Sequence, residues 1–443
     1  MGKKYRFFVA IFVALLLLSG CSISEIDELY SLPQPPREYL KLQELIDAEI
    51  ASGCEYAAPT TGSFRQSVQL ADLDKNGTNE ALVFLRNKDL QPLICVYRKV
   101  SGAYELAAKI TGEGSAVGHA EYADIDGDGL SEVLVSWEVN SEMRLLKAYS
   151  IRNWTPSALF DESCLDFQTG DINSDGITDV LALSIETSGG HVDMFSFDKQ
   201  GNMIKKSVKL SPSLKRVDRF RIANIENGIP AIFVEGSYSI DESGFLLTDI
   251  VIFSDGELKN IALDTNTGNS LTKRQYEIYS TDIDGNGSLD VPYAEKLENS
   301  AAGTVEYYVF DWYTYSAEGS RRLCASTYHC YTDGWYFTLP ESWRNNLIVR
   351  RISSISGERA VVFSVKGGDG EKPSDLLTIY TLTDENRADR AKIGNRFELF
   401  NSETVIYAAE INEDSGLPND EEGKQSIINR FHLITSEWIT GAL

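Results

Sequence analysis

Apolar residues in this chain come mostly in short bursts. Ala81-Leu-Val-Phe84, Val133-Leu-Val-Ser136, Val180-Leu-Ala-Leu183 and Ala231-Ile-Phe-Val234 are β-forming runs too short for helices, each preceded by a polar, glycine-bearing stretch. A second β-type run leads into each polar stretch, with Val68, Ala120, Phe167, Phe220 and Ile278 at matched positions. This pattern predicts β-hairpins whose turns are the polar stretches. A 3.6-residue period is found over Arg37 to Ile50, where Leu42, Leu45, Ile46 and Ile50 share one face opposite acidic residues. That helix is expected to pack on the strands, with partner binding as the second reading. After residue 331 the pattern changes. Strands are predicted at 347–355, 359–365, 376–382 and near 404–411, with a polar segment at 384–396 and a helix at 421–437.

The polar stretches are copies of one motif. Asp124-Ile-Asp126-Gly-Asp128-Gly-Leu-Ser-Glu132 puts oxygen ligands at positions 1, 3, 5 and 9, with glycine after the third. Asp72, Asp74, Asn76 and Glu80 repeat the spacing, as do Asp171, Asn173, Asp175 and Asp179, and then Asp282, Asp284, Asn286 and Asp290. A worn copy, Asn224-Ile-Glu226-Asn-Gly228, is one residue short and lacks the last acid. The first positions lie 52, 47, 53 and 58 residues apart, a period that signals a repeat architecture. Alternate carboxylates and amides on a tight loop can converge on a hard cation such as Ca²⁺, which takes six to eight oxygens in flexible geometry. Glycine at position 6 permits the sharp turn. An EF-hand begins the same way but needs glutamate at position 12; here that position holds Val83, Val135, Ala182 and Tyr293.

Four intact copies in register, with small residues before them and β-runs on both sides, resemble the FG-GAP repeat (integrin-α-like, also called VCBS). The resemblance covers about residues 60–330. It implies a mainly β fold: a β-propeller of about five blades over 62–330, with room for a sixth, followed by a smaller α+β domain over 331–443. It also implies up to four calcium ions in inter-strand loops, mainly structural, and a worn copy that has lost its metal and kept its blade. On this reading the chain is a calcium-stabilised binding or scaffold protein, displaying its surface to an envelope protein or glycan. The alternative is an extracellular polysaccharide lyase or hydrolase, since calcium-bearing propellers also occur among those enzymes.

The N-terminus adds an address. Lys3, Lys4 and Arg6 precede the apolar run Phe7 to Leu18, too short for an ordinary membrane span and suited to a signal peptide over 1–20. Leu18-Ser-Gly-Cys21 resembles a bacterial lipobox, which implies lipidation of Cys21, a lipidated tether over 21–36, a helix and lead-in over 37–61, and anchoring on the extracytoplasmic face of the cell membrane. Removing 1–20 would take the net charge from −25 to −28, since that segment holds three cations and no acids. So acidic a surface argues against nucleic acid or anionic lipid as a partner. Of the remaining cysteines, Cys95 sits in an apolar strand as a small hydrophobe, and only Cys324 and Cys330 are near enough in sequence to suggest a disulfide.

Catalytic signatures do not emerge. His119, His191, His329 and His432 show no metal-ligand spacing, and no nucleophile elbow, P-loop or dinucleotide fingerprint is present. Between Tyr307 and Trp343 lie twelve aromatic residues. They either fill the last blade and its junction with the following domain or form an exposed ligand platform. Lys215, Arg216, Arg219 and Arg221 alternate with apolar residues, as on a solvated strand face.

Overall fold

The computed structural model describes residues 37–140, 143–186, 189–239, 244–297, 306–367 and 372–434. The signal segment, Cys21, the tether and the end of the last expected helix lie outside the described residues. The fold is mainly β. Among the described residues the strands form six antiparallel sheets.

Five of them contain the predicted hairpins. The first sheet is built on Val68–Ala71, Glu80–Arg86, Pro92–Val100 and Ala103–Thr111, with the short strand Glu55–Tyr56 added beside the second of these. Ala116–Ala123, Glu132–Glu138, Arg144–Ser150 and Ser157–Cys164 make the second; Asp166–Gly170, Asp179–Glu186, Gly189–Phe197 and Met203–Lys209 make the third. The fourth contains Arg216–Ile225, Ile229–Ser237, Leu246–Ser254 and Glu257–Asn260. In the fifth, Asp290–Lys296, Tyr308–Tyr315 and Arg321–Cys330 are extended by Trp335–Thr338 and then Phe431–Leu433, and the expected leading strand is reduced to a single bridge between Thr281 and Asp290. The sixth is Leu347–Ile355, Glu358–Val365, Ser374–Leu382, Ile406–Ile411 and Phe397–Asn401.

The sheets pack face to face in chain order, which explains the short unbroken apolar runs in the second strands of the first four: both faces are covered. Side chains alternate between faces with period 2. Leu82 and Phe84 of the first sheet meet Val133, Val135 and Trp137 of the second. Leu134 and Leu146 then meet Phe167 and Val180 of the third, and Leu181 and Leu183 meet Ile232 and Val234 of the fourth. Phe233 and Ile250 meet Val291 and Tyr315 of the fifth, and Tyr328, Trp335 and Phe337 meet Val349, Phe363 and Ile379 of the sixth. At the near end, helix α1 (Arg37–Ala51) lays Leu42 and Ile46 on Ala81, Val83, Cys95 and Tyr97, the other face of the first sheet. At the far end, Leu382, Ile406 and Ala408 are covered by Ala391, next to the short helix α2 (Arg387–Arg390). No apolar cluster among the described residues joins the first sheet to the sixth.

Several expectations need correction. The boundary placed between 330 and 331 does not separate two cores, because Trp335–Thr338 pairs with Arg321–Cys330 and one apolar cluster runs from Leu297 to Phe431. The strands expected from 347 onwards form a sheet stacked on the fifth, and the predicted helix stops early: α3 (Glu421–Ile428) gives way to the strand Phe431–Leu433. Cys324 and Cys330 are thiols. Six residues apart on one extended strand, they are separated by about 20 Å, beyond disulfide reach. Arg219 and Arg221 do not face solvent. Arg219 is buried with its guanidinium 4.0 Å from the centre of the Tyr279 ring, and Arg221 reaches Glu235 at 3.3 Å. Among the described residues no helix is long and apolar enough to cross a membrane.

Candidate metal loops

The first three intact acidic stretches are the turns of hairpins, the fourth is closed by a single bridge, and the register is the same in all four. The residue before position 1 pairs with position 9: Ala71 with Glu80, Ala123 with Glu132, Gly170 with Asp179, and Thr281 with Asp290. Positions 4 and 6 adopt positive φ throughout. Position 6 is always glycine, with φ from 85° to 88° at Gly77, Gly129, Gly176 and Gly287. Position 4 is glycine in two loops but Lys75 (56°) and Ser174 (59°) in the others, so those two accept a modest left-handed penalty.

The side chains repeat as closely as the backbone. The position-1 carboxylate accepts two loop amides, as where Asp124 Oδ1 takes the Gly127 N–H at 2.8 Å and Oδ2 takes that of Gly129 at 2.9 Å. Asp72, Asp171 and Asp282 likewise take the amides of positions 5 and 6. Position 5 caps position 7: Asn76, Asp128, Asp175 and Asn286 accept from Thr78, Leu130, Ile177 and Ser288 at 2.8–2.9 Å. Position 9 reaches back to the amide of position 2, as Glu80 to Leu73 (2.9 Å), Glu132 to Ile125 (3.1 Å), Asp179 to Ile172 (2.9 Å) and Asp290 to Ile283 (3.2 Å). The four ligand positions thus converge from both ends of the turn.

In two loops, three carboxylates bring oxygens within 4.8 Å of one another: Asp72, Asp74 and Glu80, and Asp124, Asp126 and Glu132. In the fourth, Asp284 and Asp290 are joined by Cys324. No sequence pattern marks this thiol. It is the extra residue of a β-bulge opposite Trp312 and Tyr313, and a bulge re-aims one side chain without leaving a mark in the hydrophobic pattern. The third loop has Asn173 at position 3, whose amide donates to Asp175 at 2.9 Å and Asp179 at 3.3 Å.

Burial and mutual repulsion act on the innermost acids. Glu132 is fully buried, and its carboxyl is pushed up to about 7 by burial, eased by the Ile125 amide and increased by Asp126, Asp128 and Asp124. Burial likewise raises Asp179 to about 6; it also raises Glu80 and Asp290, each partly offset by hydrogen bonds to the carboxylate. One oxygen of Glu132 has no hydrogen-bond partner, and neither does the buried Ser150 hydroxyl, on the residue that follows Tyr149, the cross-strand partner of Val133. A buried carboxylate oxygen left unpaired is costly. A divalent cation on the loop would satisfy it, so the donor set fits the expected metal.

Two arginines stand near these loops. Arg152 pairs with Asp126 at 3.0 Å and Asp128 at 2.5 Å, carried there by a turn in which Asn153 and Trp154 both have positive φ (52° and 60°). For a tryptophan that conformation is an outlier. In the worn copy, Glu226 pairs with Arg322 at 3.0 Å; its hairpin persists, with Asn224 opposite Pro230. Adjacent loops also touch. The Ser131 amide donates to Leu73 O at 2.8 Å, and the Leu289 amide to Asn224 O at 2.9 Å.

The histidines sit elsewhere. His119 is buried against Phe167, with Nε2 3.0 Å from Glu121; burial would lower its pKa, but Asp166 and Glu121 outweigh that and raise it to about 9. His329 is buried and pushed down to about 3. His191 lies 3.5 Å from Asp193, and His432 stacks on Tyr336.

No family model and no curated protein matches the chain. Among solved structures, the crystal structure of Saccharomyces cerevisiae Sqt1 is similar over 70% of this chain and 97% of its own, at 9% identity and a TM-score of 0.27. A superposition that loose carries no argument.

Proposed function

We propose that the chain is a calcium-stabilised, lipid-anchored extracytoplasmic binding or scaffold protein, its sheets serving as blades of an FG-GAP-like propeller. The observation that carries this reading is the unpaired, fully buried oxygen of Glu132, set in a loop whose hydrogen bonding recurs at three further places in the chain. Structural ions would tie the first two strands of a sheet together at one end. Extracellular sites of this type bind weakly, with Kd on the order of 10⁻⁴–10⁻³ M. The residues that would hold ions are those at positions 1, 3, 5 and 9 of the intact loops. The worn loop would hold none, because Arg322 supplies its positive charge.

Equilibrium dialysis of the full-length chain in detergent against calcium tests the metal half of the reading. The expected result is saturable uptake of more than one and at most four ions per chain. Uptake indistinguishable from a detergent blank would refute it.

A further inference from the structure

Where the fifth and sixth sheets meet lies a cavity of about 260 Å³. Its wall is a chain of aromatic rings. Tyr276 and Tyr308 are 4.7 Å apart between centroids and tilted by 56°; Phe310 and His329 follow at 4.7 Å, and His329 and Tyr331 at 5.5 Å. Most of the twelve aromatic residues of this region are core: Trp312, Tyr315, Trp335, Phe337 and Trp343 are all buried. The cavity wall differs. Tyr276 and Tyr308 are half-buried, and Tyr331 is 45% exposed. Tyrosines that served only to fill a core would be covered.

The polar groups at the cavity are arranged with some asymmetry. The Trp312 indole N–H donates to Thr327 Oγ1 at 2.8 Å, and Thr327 Oγ1 lies 2.8 Å from Nε2 of the neutral His329. We assign Thr327 as donor to Nε2 in preference to the Phe310 carbonyl, which is farther away at 3.5 Å, so that Nδ1–H donates to the Tyr331 oxygen 3.2 Å away. The Tyr331 O–H is then left to donate to a ligand. Glu306 is already balanced, since it pairs with Lys296 and accepts the Tyr308 hydroxyl at 2.6 Å. Arg351 is not balanced. It shares one carboxylate, Asp333, with Arg359, at 3.3 Å and 2.6 Å. Two cations on one anion leave a positive charge in excess at the cavity's edge, in a chain of net charge −25.

We propose that this cavity binds a six-membered ring bearing a carboxylate: the ring against Tyr276, Tyr308 and Tyr331, the acid on Arg351. Its volume falls just below the roughly 300–1,000 Å³ usual for ligand sites, room for one ring and not a chain of them. Two sources share that chemistry, a uronic acid residue of an acidic glycan and an aromatic acid. The inference does not rest on the metal reading of the loops.

Saturation-transfer NMR on the full-length chain in detergent, with millimolar D-glucuronate, benzoate or neutral D-glucose, tests it. Glucuronate or benzoate should bind, and glucose roughly tenfold more weakly or not at all, a loss of about 1.4 kcal/mol. Stronger glucuronate binding would identify a sugar acid and stronger benzoate binding an aromatic acid. Arg351→Gln should reduce binding of the acid to the level of glucose. Because Arg351 also supports Asp333, Tyr331→Phe is the gentler variant, and it should weaken binding severalfold with the melting temperature unchanged. Binding that persists in EDTA would show the site to be independent of the loops. No saturation by either acid, equal binding of glucose, or indifference to both substitutions would overturn the proposal.

Discussion

Glu132 is the acid on which the second loop's electrostatics turn. It is fully buried, one oxygen is tied to the Ile125 amide and the other is unpaired. Arg152 stands outside it, on Asp126 and Asp128. A guanidinium there neutralises the loop in part, but it is exposed and screened, so its hold is weak. It also competes with any cation for the same oxygens. Arg152→Gln should therefore tighten calcium binding at the second loop by a few-fold at most, measured by calorimetric titration of the variant against the parent. Weaker binding in the variant would mean that Arg152 supports the loop's shape and does not compete for its charge.

At the scale of the element, each loop gathers carboxylates that repel one another, and the effect on stability has a definite sign. Glu132 and Asp179 bind protons more readily in the folded chain, with pKa raised to about 7 and about 6 from 4.5 and 3.8. Between the unfolded and folded values the native state holds more protons, so without metal stability falls as pH rises through that window. A bound divalent ion reverses this, because it needs the carboxylates ionised. The melting temperature in EDTA should therefore drop from pH 5.5 to pH 8, while the gain from calcium grows over the same range. A calcium gain that shrinks toward pH 8 would contradict the assignment.

Much at this scale was legible in the sequence. The turns around 72, 124, 171 and 282 followed from the ligand spacing, the glycine and the flanking β-runs, because turn chemistry is local. The Asn224 copy likewise kept its hairpin. What was not legible depends on tertiary contacts. Arg219 and Arg221 alternate as a solvated face would, but the adjacent strand of their own sheet supplies Glu235 and the segment leading into the fifth sheet supplies Tyr279. Cys324 enters the fourth loop through a bulge. Trp335–Thr338 belongs to the fifth sheet although its sequence looks like the opening of a new unit, since strand pairing at this distance has no local signal.

For the whole molecule, the order of packing is the order of the chain. Each sheet rests on the next, α1 closes the near face, and the far face is covered near α2. Such serial packing gives the chain long continuous apolar interfaces, and it leaves the loop ends of the sheets with a surplus of acids, which the proposed ions would hold together. The proposed lipid anchor is a separate device. Cys21→Ser should abolish labelling by radioactive palmitate and release the chain from membranes in the producing bacterium; labelling that survives would place the lipid elsewhere or remove it from the account.

The proposed role of the loops is that calcium held in them stabilises the fold. Thermal melting of the full-length chain in detergent, in millimolar calcium and in EDTA, addresses it most directly. Millimolar calcium is about one to ten times the Kd of such sites, so each filled site adds roughly 0.4–1.4 kcal/mol, and several together should move the melt upward by several degrees. Asp124→Ala should remove one site's share of that gain and Asn224→Ala none. Superimposable melts in calcium and EDTA, or equal effects of the two substitutions, would contradict it.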